Sequence, residues 1–270
     1  MKAAKAVAGA AVIMVMSAGA VGCSAAEKKA AETAEAMVAS LTKASDAASQ
    51  AGSAEVKMSV TSPDTGGSPT VMTGVYSWGN GLAMEAEVPA KDLQMEDLVK
   101  DGTVTYRMVQ GAYYYQVDPA ESGEFKGKTW LKVEASAILG EQGAAAMNGP
   151  NNDPTAGLKM LKWAKGVDKI GKEDVNGKPT VHYKATIPTD KLDKNSGAMF
   201  EALGGNSSDL VTDVWVDDKG MPARLIQSVG TTTVAVDFFS FGAAKEIAVP
   251  PAAETADITE AFKNANKGQG

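Results

Sequence analysis

"DLVTDVWVDDKGMPARLIQSVG" (209–230) decides how the chain is to be read. Apolar residues alternate with polar ones up to Asp218-Lys219-Gly220, and the alternation resumes after it, so two strands flank a tight turn. "TTTVAVDFFSFG" (231–242) follows at once and alternates again, placing Val234, Val236 and Phe238 on one face. Strands that succeed one another through short turns pair antiparallel, because a parallel partner needs a crossover of a dozen or more residues. The core of the fold is therefore an antiparallel meander.

Reading outward in both directions gives more of the same. "VDKIGKEDV" and "PTVHYKATI" lie around Asn176-Gly177-Lys178. "VMTGVYSW" (71–78) and "LAMEAEV" (82–88) lie around Gly79-Asn80-Gly81, and "TVTYRMV" (103–109) and "AYYYQV" (112–117) around Gln110-Gly111. "EVKMSVT" (55–61) and "KTWLKVE" (128–134) add two further strands. Helical texture comes in blocks: about Ala30 to Gln50, with Ala30, Ala34, Met37, Leu41, Ala44 and Ala48 in one stripe, then "SAILGEQGAAAM" and "AGLKMLKWAK" on either side of the breaker run "NGPNNDP". A short helix is expected near 189–203, and an extended Pro-rich arm with a last short helix at the C-terminus. Helices in blocks among hairpins predict an α+β single domain.

The N-terminus has a different texture. Lys2 and Lys5 precede an uncharged, mostly apolar run from Ala6 to Val21, followed by Gly22 and Cys23, the single cysteine of 270 residues. Basic start, apolar stretch and small residues are the three parts of a secretory signal, and the run is too short to span a bilayer. A cysteine directly after the small residues resembles the bacterial lipobox, with Ala20 where Leu is commonest. That resemblance implies cleavage before Cys23 and acylation of its sulfur. The expected divisions are a signal peptide at 1–22, a lipidated tether at 23–29 and one domain at 30–270.

Charge narrows the partners. Loss of Lys2 and Lys5 leaves 24 basic side chains against 33 acidic ones. Such a surface does not attract nucleic acid or anionic lipid by charge. A lone cysteine forms neither an internal disulfide nor, by itself, a zinc site.

Chemistry-bearing motifs give little. His182 is the single histidine, and in "VHYKA" its parity is opposite to Val181, Tyr183 and Ala185, so it reads as a solvent-facing strand residue. No G-x-S-x-G elbow offers it a nucleophile. "GEFKGKT" (123–129) has Ser122 in place of a phosphate loop's first glycine and precedes a strand instead of a helix, so it reads as a turn. Asp213 and Asp217 in "DVWVDDKG" lack the later bidentate Glu of a calcium loop and read as strand and turn. Asn206-Ser207-Ser208 matches a glycosylation sequon, which a bacterial-type lipobox deprives of meaning. No catalytic residue, metal ligand or cofactor site is read from the sequence.

Together the lipobox, the helix running into "AGSAEVKMSVT", "DVWVDDKGMPARL", "VAVDFFSFG" and the closing "KEIAVPPAAE" resemble the LolA/LolB-like lipoprotein carrier superfamily, in particular actinobacterial lipoproteins of the LppX/LprG type. The resemblance implies a strongly curved antiparallel half-barrel, helices over its concave face, and an apolar cavity between them for acyl chains. Strand parity, with the more apolar face taken as inward, then nominates the cavity lining. The residues are Val56, Met58 and Val60; Met84 and Ala86; Val104 and Tyr106; Tyr113 and Tyr115; Val181, Tyr183, Ala185 and Ile187; Val214 and Val216; and Val234, Val236 and Phe238. Two functions of different class remain open. One is a lipid-anchored carrier on the extracytoplasmic face of the cell membrane, binding a lipid or acylated ligand. The other is a structural or sensory envelope lipoprotein with a filled core, acting through a protein partner.

Overall fold

The computed structural model describes residues 23–63, 66–79, 81–147, 155, 158, 160–188, 190, 209–243 and 246–267. The expected signal peptide, the breaker loop at 148–154, nearly all of the expected helix at 189–203 and the sequon lie outside them.

Among the described residues, twelve strands form one open, curved sheet. They are β1 (Ser53–Thr61), β2 (Thr70–Ser77), β3 (Ala83–Pro89), β4 (Thr103–Val109), β5 (Ala112–Gln116), β6 (Trp130–Glu134), β7 (Val167–Val175), β8 (Lys178–Ile187), β9 (Leu210–Asp217), β10 (Pro222–Val229), β11 (Thr232–Phe241) and β12 (Thr255–Asp257). Their order is β12-β6-β5-β4-β3-β2-β1-β11-β10-β9-β8-β7. Two runs of hairpins thus meet where β1 pairs with β11, Met58 opposite Val236 and Val60 opposite Val234. Three helices accompany the sheet among the described residues: α1 (Cys23–Ala51), α2 (Ala135–Met147) and α3 (Thr259–Lys267).

The turns are built by the residues that announced them. Asp217 Oδ1 accepts the Lys219 and Met221 amides at 3.0 and 2.8 Å, and Gly220 takes φ 77°, so the β9–β10 turn is locked by its first side chain. Gln110-Gly111 and Asn176-Gly177 have positive φ at both positions, which suits the twist of a two-residue hairpin. Gly74 serves a different need. A Cβ there would stand 1.9 Å from the Glu85 carbonyl oxygen, so only glycine lets β2 approach β3 at this point.

The sequence reading needs three corrections. The sheet is not wholly antiparallel, because β12 pairs parallel with β6, Thr255 opposite Trp130. This strand comes from the arm expected to be merely extended. Helix α1 starts at Cys23, ahead of the expected start near Ala30. In "AGLKMLKWAK" Leu158 is helical and a 3-10 turn follows at Met160–Trp163, the other residues ahead of that turn lying outside the described ones. Finally, α2 is broken at Gly140, with φ 71° and ψ 169°.

One face of the sheet carries two apolar clusters. In the first, Leu41 and Ala44 of α1 pack with Val56, Tyr183, Ala185, Ile187, Val214, Leu225 and Phe238. The α1 stripe is thus buried against β1 and β8–β11, as its spacing requires. In the second, Ala135 and Ala144 of α2 pack with Met84, Ala86, Met108 and Tyr113. Met58 and Tyr76 belong to both, so the apolar face is continuous from β8 to β5.

Candidate binding face

Every residue nominated for the cavity lining lies on this face. The cross-strand register keeps them on one side of the sheet. Tyr183 stands opposite Val214, Val214 opposite Leu225, Leu225 opposite Val236 and Val236 opposite Met58, in one row across five strands. Partners directly opposite share a face. The bulges in β1 (Ala54/Val56), β7 (Lys169/Gly171) and β10 (Pro222/Arg224) fall outside this row and leave it intact.

The nominated residues divide by exposure. Val56, Met84, Ala86, Val104, Tyr113, Tyr183, Ala185, Ile187, Val214, Val216, Val236 and Phe238 are buried. Met58, Val60, Tyr106, Tyr115, Val181 and Val234 are only half-buried. Beneath α1 the face is therefore a filled core, with Leu41, Ile187 and Phe238 all at 0% exposure. Around β1, β2 and the start of β11 it is still open.

Sequence parity omitted β2 and β10. Met72 and Tyr76 flank the Gly74 position on the same face, and Met72 lies opposite Met58. Leu225, Gln227 and Val229 are the matching positions of β10. Cross-strand pairing finds them, whereas alternation along "LIQSV" alone does not, because Gln227 breaks its apolar side.

The second cluster is rich in phenols. Tyr106 stacks on Tyr113 at 5.8 Å and 27° and tilts against Tyr115 at 5.7 Å. Burial pushes the Tyr106 phenol well above its ordinary value, and the neighbouring Tyr113, Tyr115 and Tyr76 add to that. Burial, and then Tyr115, pushes Tyr113 up to about 12. These side chains stay neutral and present ring faces and hydroxyls on a low-dielectric surface.

His182 lies on the opposite face, as its parity requires, but it is not a free surface residue. Its side chain is 12% exposed and stacks on Trp215 at 4.0 Å and 14°. Nδ1 is 3.0 Å from Glu173 Oε1 and Nε2 is 2.7 Å from Asp213 Oδ1. The Trp215 indole donates to Glu173 Oε2 at 3.0 Å, and Lys184 Nζ donates to Asp213 Oδ2, also at 3.0 Å. Asp213 is thus held in an ion-pair network and Asp217 in a turn, which accounts for the acidic cluster. Through these contacts the histidine ties β7, β8 and β9 together. In the "GEFKGKT" stretch, Lys126 donates its amide to the Gly123 carbonyl and the chain enters strand β6, so it is a turn.

No family model matches the sequence. Over 213 residues the chain is 27% identical to an uncharacterised 31.2 kDa protein of Streptomyces griseus, spanning 71% of this chain and 70% of that one. It is 26% identical over 198 residues to a candidate lipoprotein of Streptomyces coelicolor, spanning 69% of this chain and 64% of that one. Among solved structures, the lipoprotein LppX of Mycobacterium tuberculosis superposes with a TM-score of 0.55 at 15% identity, over 79% of this chain and 99% of LppX. LprF of Mycobacterium bovis gives 0.52 at 14% identity, over 80% of this chain and 97% of LprF. The twelve-stranded sheet with its apolar face is thus the fold of the lipoproteins LppX and LprF, the group that the sequence resembles.

Proposed function

We propose that the chain is a lipoprotein, anchored through acylated Cys23 to the extracytoplasmic face of the cell membrane, that binds the acyl chains of a lipid or lipoprotein and carries them in the envelope. In this reading the apolar face is the concave one and the helices cover it.

The observation that carries the reading is the unequal filling of a single apolar face. Monomeric proteins seldom leave contiguous apolar surface uncovered without a use for it. Here Met58, Val60, Met72, Tyr106, Tyr115 and Val234 stay half-buried although they continue a face whose other half is closed by α1. An acyl chain laid against them gains about 0.8 kcal/mol per methylene removed from water. The fold shared with two lipoproteins supports the same reading.

A filled core acting through protein contacts remains the competing reading, and the packing beneath α1 is what favours it. Titration of the full chain carrying C23S with palmitate separates the two. Tyr106, Tyr113 and Tyr115 lie on the proposed surface, so saturable binding accompanied by a change in near-ultraviolet circular dichroism is expected. A chain that neither binds palmitate nor alters its tyrosine signal would support the filled core.

A further inference from the structure

Four methionines stand on the apolar face in two cross-strand pairs. Met58 of β1 lies directly opposite Met72 of β2, and Met84 of β3 lies directly opposite Met108 of β4. All four belong to the cluster that Ala135 and Ala144 of α2 touch. The row between the two pairs carries no long side chain from β1 to β3, where Val56 faces Gly74 and Gly74 faces Ala86. The pairs differ in cover. Met84 and Met108 are 4% and 8% exposed, whereas Met58 and Met72 are half-buried on the open part of the face.

Leucine fills much the same volume as methionine, so packing alone does not require sulfur at these two positions. A thioether differs from leucine in its chemistry. Its sulfur lone pair attacks the O–O bond of a peroxide; one oxygen is transferred to sulfur, and the other leaves as hydroxide and takes up a proton to form water. Sulfur is oxidised by two electrons and the peroxide is reduced by two. Cys23 is the single cysteine, so the chain acylated there has no thiol to compete for the oxidant. The product is a polar sulfoxide whose oxygen only accepts hydrogen bonds. Around Met58 the nearest positions of the face are Val56, Val60 and Val236, all apolar. An acyl chain laid over the sulfoxides brings no donor either.

We propose that Met58 and Met72 are an oxidation site for hydrogen peroxide or another small hydroperoxide, and that their conversion to sulfoxides makes the face release its apolar ligand. The release rests on the lipid-binding reading above. Sulfoxide reduction reverses it: a dithiol takes up the oxygen as water, becomes a disulfide and returns the thioether. Met84 and Met108, beneath their cover, keep the other half of the cluster apolar in both states.

The test treats the full chain carrying C23S, which has no cysteine, with hydrogen peroxide and follows each methionine by peptide mass spectrometry. Met58 and Met72 should be oxidised well before Met84 and Met108. Palmitate affinity should fall in step by about tenfold, the effect of burying one acceptor without a donor, and methionine sulfoxide reductases with dithiothreitol should restore it. The double variant M58L/M72L, judged against its own untreated affinity, should lose nothing on peroxide treatment. Equal oxidation of all four methionines overturns the site. Oxidation at 58 and 72 with affinity unchanged, a loss that reduction does not restore, or an equal loss in M58L/M72L overturns the release. An untreated chain that binds no palmitate overturns the lipid-binding reading and the release with it, while the peptide rates still decide the site.

Discussion

Replacing Val234 by tryptophan puts an indole on the open part of the apolar face, between Val60 of β1 and Gln227 of β10. Val234 is half-buried at the margin of the α1 cluster, so the ring can turn toward the open side and should escape most of the overpacking cost of about 1–3 kcal/mol expected in a filled core. Stability should change by no more than about 0.5 kcal/mol. A ring that displaces about four methylenes of a bound chain forfeits about 3 kcal/mol, or more than a hundredfold in affinity. Two controls bracket this variant. Ala185 is 4% exposed and packs with Leu41, Ile187 and Val214, so A185W should incur the full overpacking cost. Each kcal/mol lowers the melting temperature of a chain this size by about 2–4 °C. K184W lies on the opposite face and gives up the Lys184–Asp213 pair, a half-exposed contact worth about 0–1 kcal/mol, so palmitate binding should be untouched. Palmitate titration and melting curves on all three variants complete the assay. If V234W melts and binds like the parent, the open patch is not the site; if it melts like A185W, the patch is filled core.

C23A should abolish incorporation of labelled fatty acid and release the chain from the membrane fraction, and labelling equal to that of the parent would defeat the anchor. Leu41→Ala, at a position of α1 with 0% exposure, should cost about 2–5 kcal/mol in denaturant unfolding, whereas a cost near zero would mean that α1 does not close this half of the face. On the opposite face, hydrogen bonds from Trp215 and then His182 hold the Glu173 carboxyl below its ordinary value of 4.5. A lowered carboxyl contributes stability above its unfolded-state value, and that contribution is lost as pH falls through the lower folded-state value. E173Q should therefore flatten the loss of stability below about pH 4.5, and an unchanged acid profile would show that Glu173 is not its source. H182A removes the ring stack on Trp215 and two hydrogen bonds, so a loss of about 1–2 kcal/mol with palmitate binding intact is expected; a tenfold loss of binding would give this network a functional role.

The elements written in local contrast were legible. Strand β4 spans Thr103–Val109 and strand β7 spans Val167–Val175, as the alternation alone indicates, and Asn176-Gly177 turns where its dihedral preferences require. Side-chain parity along "VHYKATI" placed Tyr183, Ala185 and Ile187 on the packed face and His182 and Lys184 on the other. Long-range features were not legible. Strand β12 has three residues and exists because Thr255, Ala256 and Asp257 meet the free edge of β6, a partner more than a hundred residues away in the chain. The partners of His182 come from neighbouring strands, so its environment emerges only when β7 and β9 flank β8. Parity likewise fixes which way Ala185 and Val234 point, but whether a helix covers them depends on where α1 lies. That difference separates a filled core from a binding surface.

Mass spectrometry of an organic extract from the purified full chain carrying C23S tests the central claim most directly, because this variant has no site for covalent acylation at residue 23. The account predicts an acyl lipid in the extract, well above a mock purification and strongly depleted in V234W. An extract indistinguishable from the mock, or equal lipid in V234W and its parent, would contradict it.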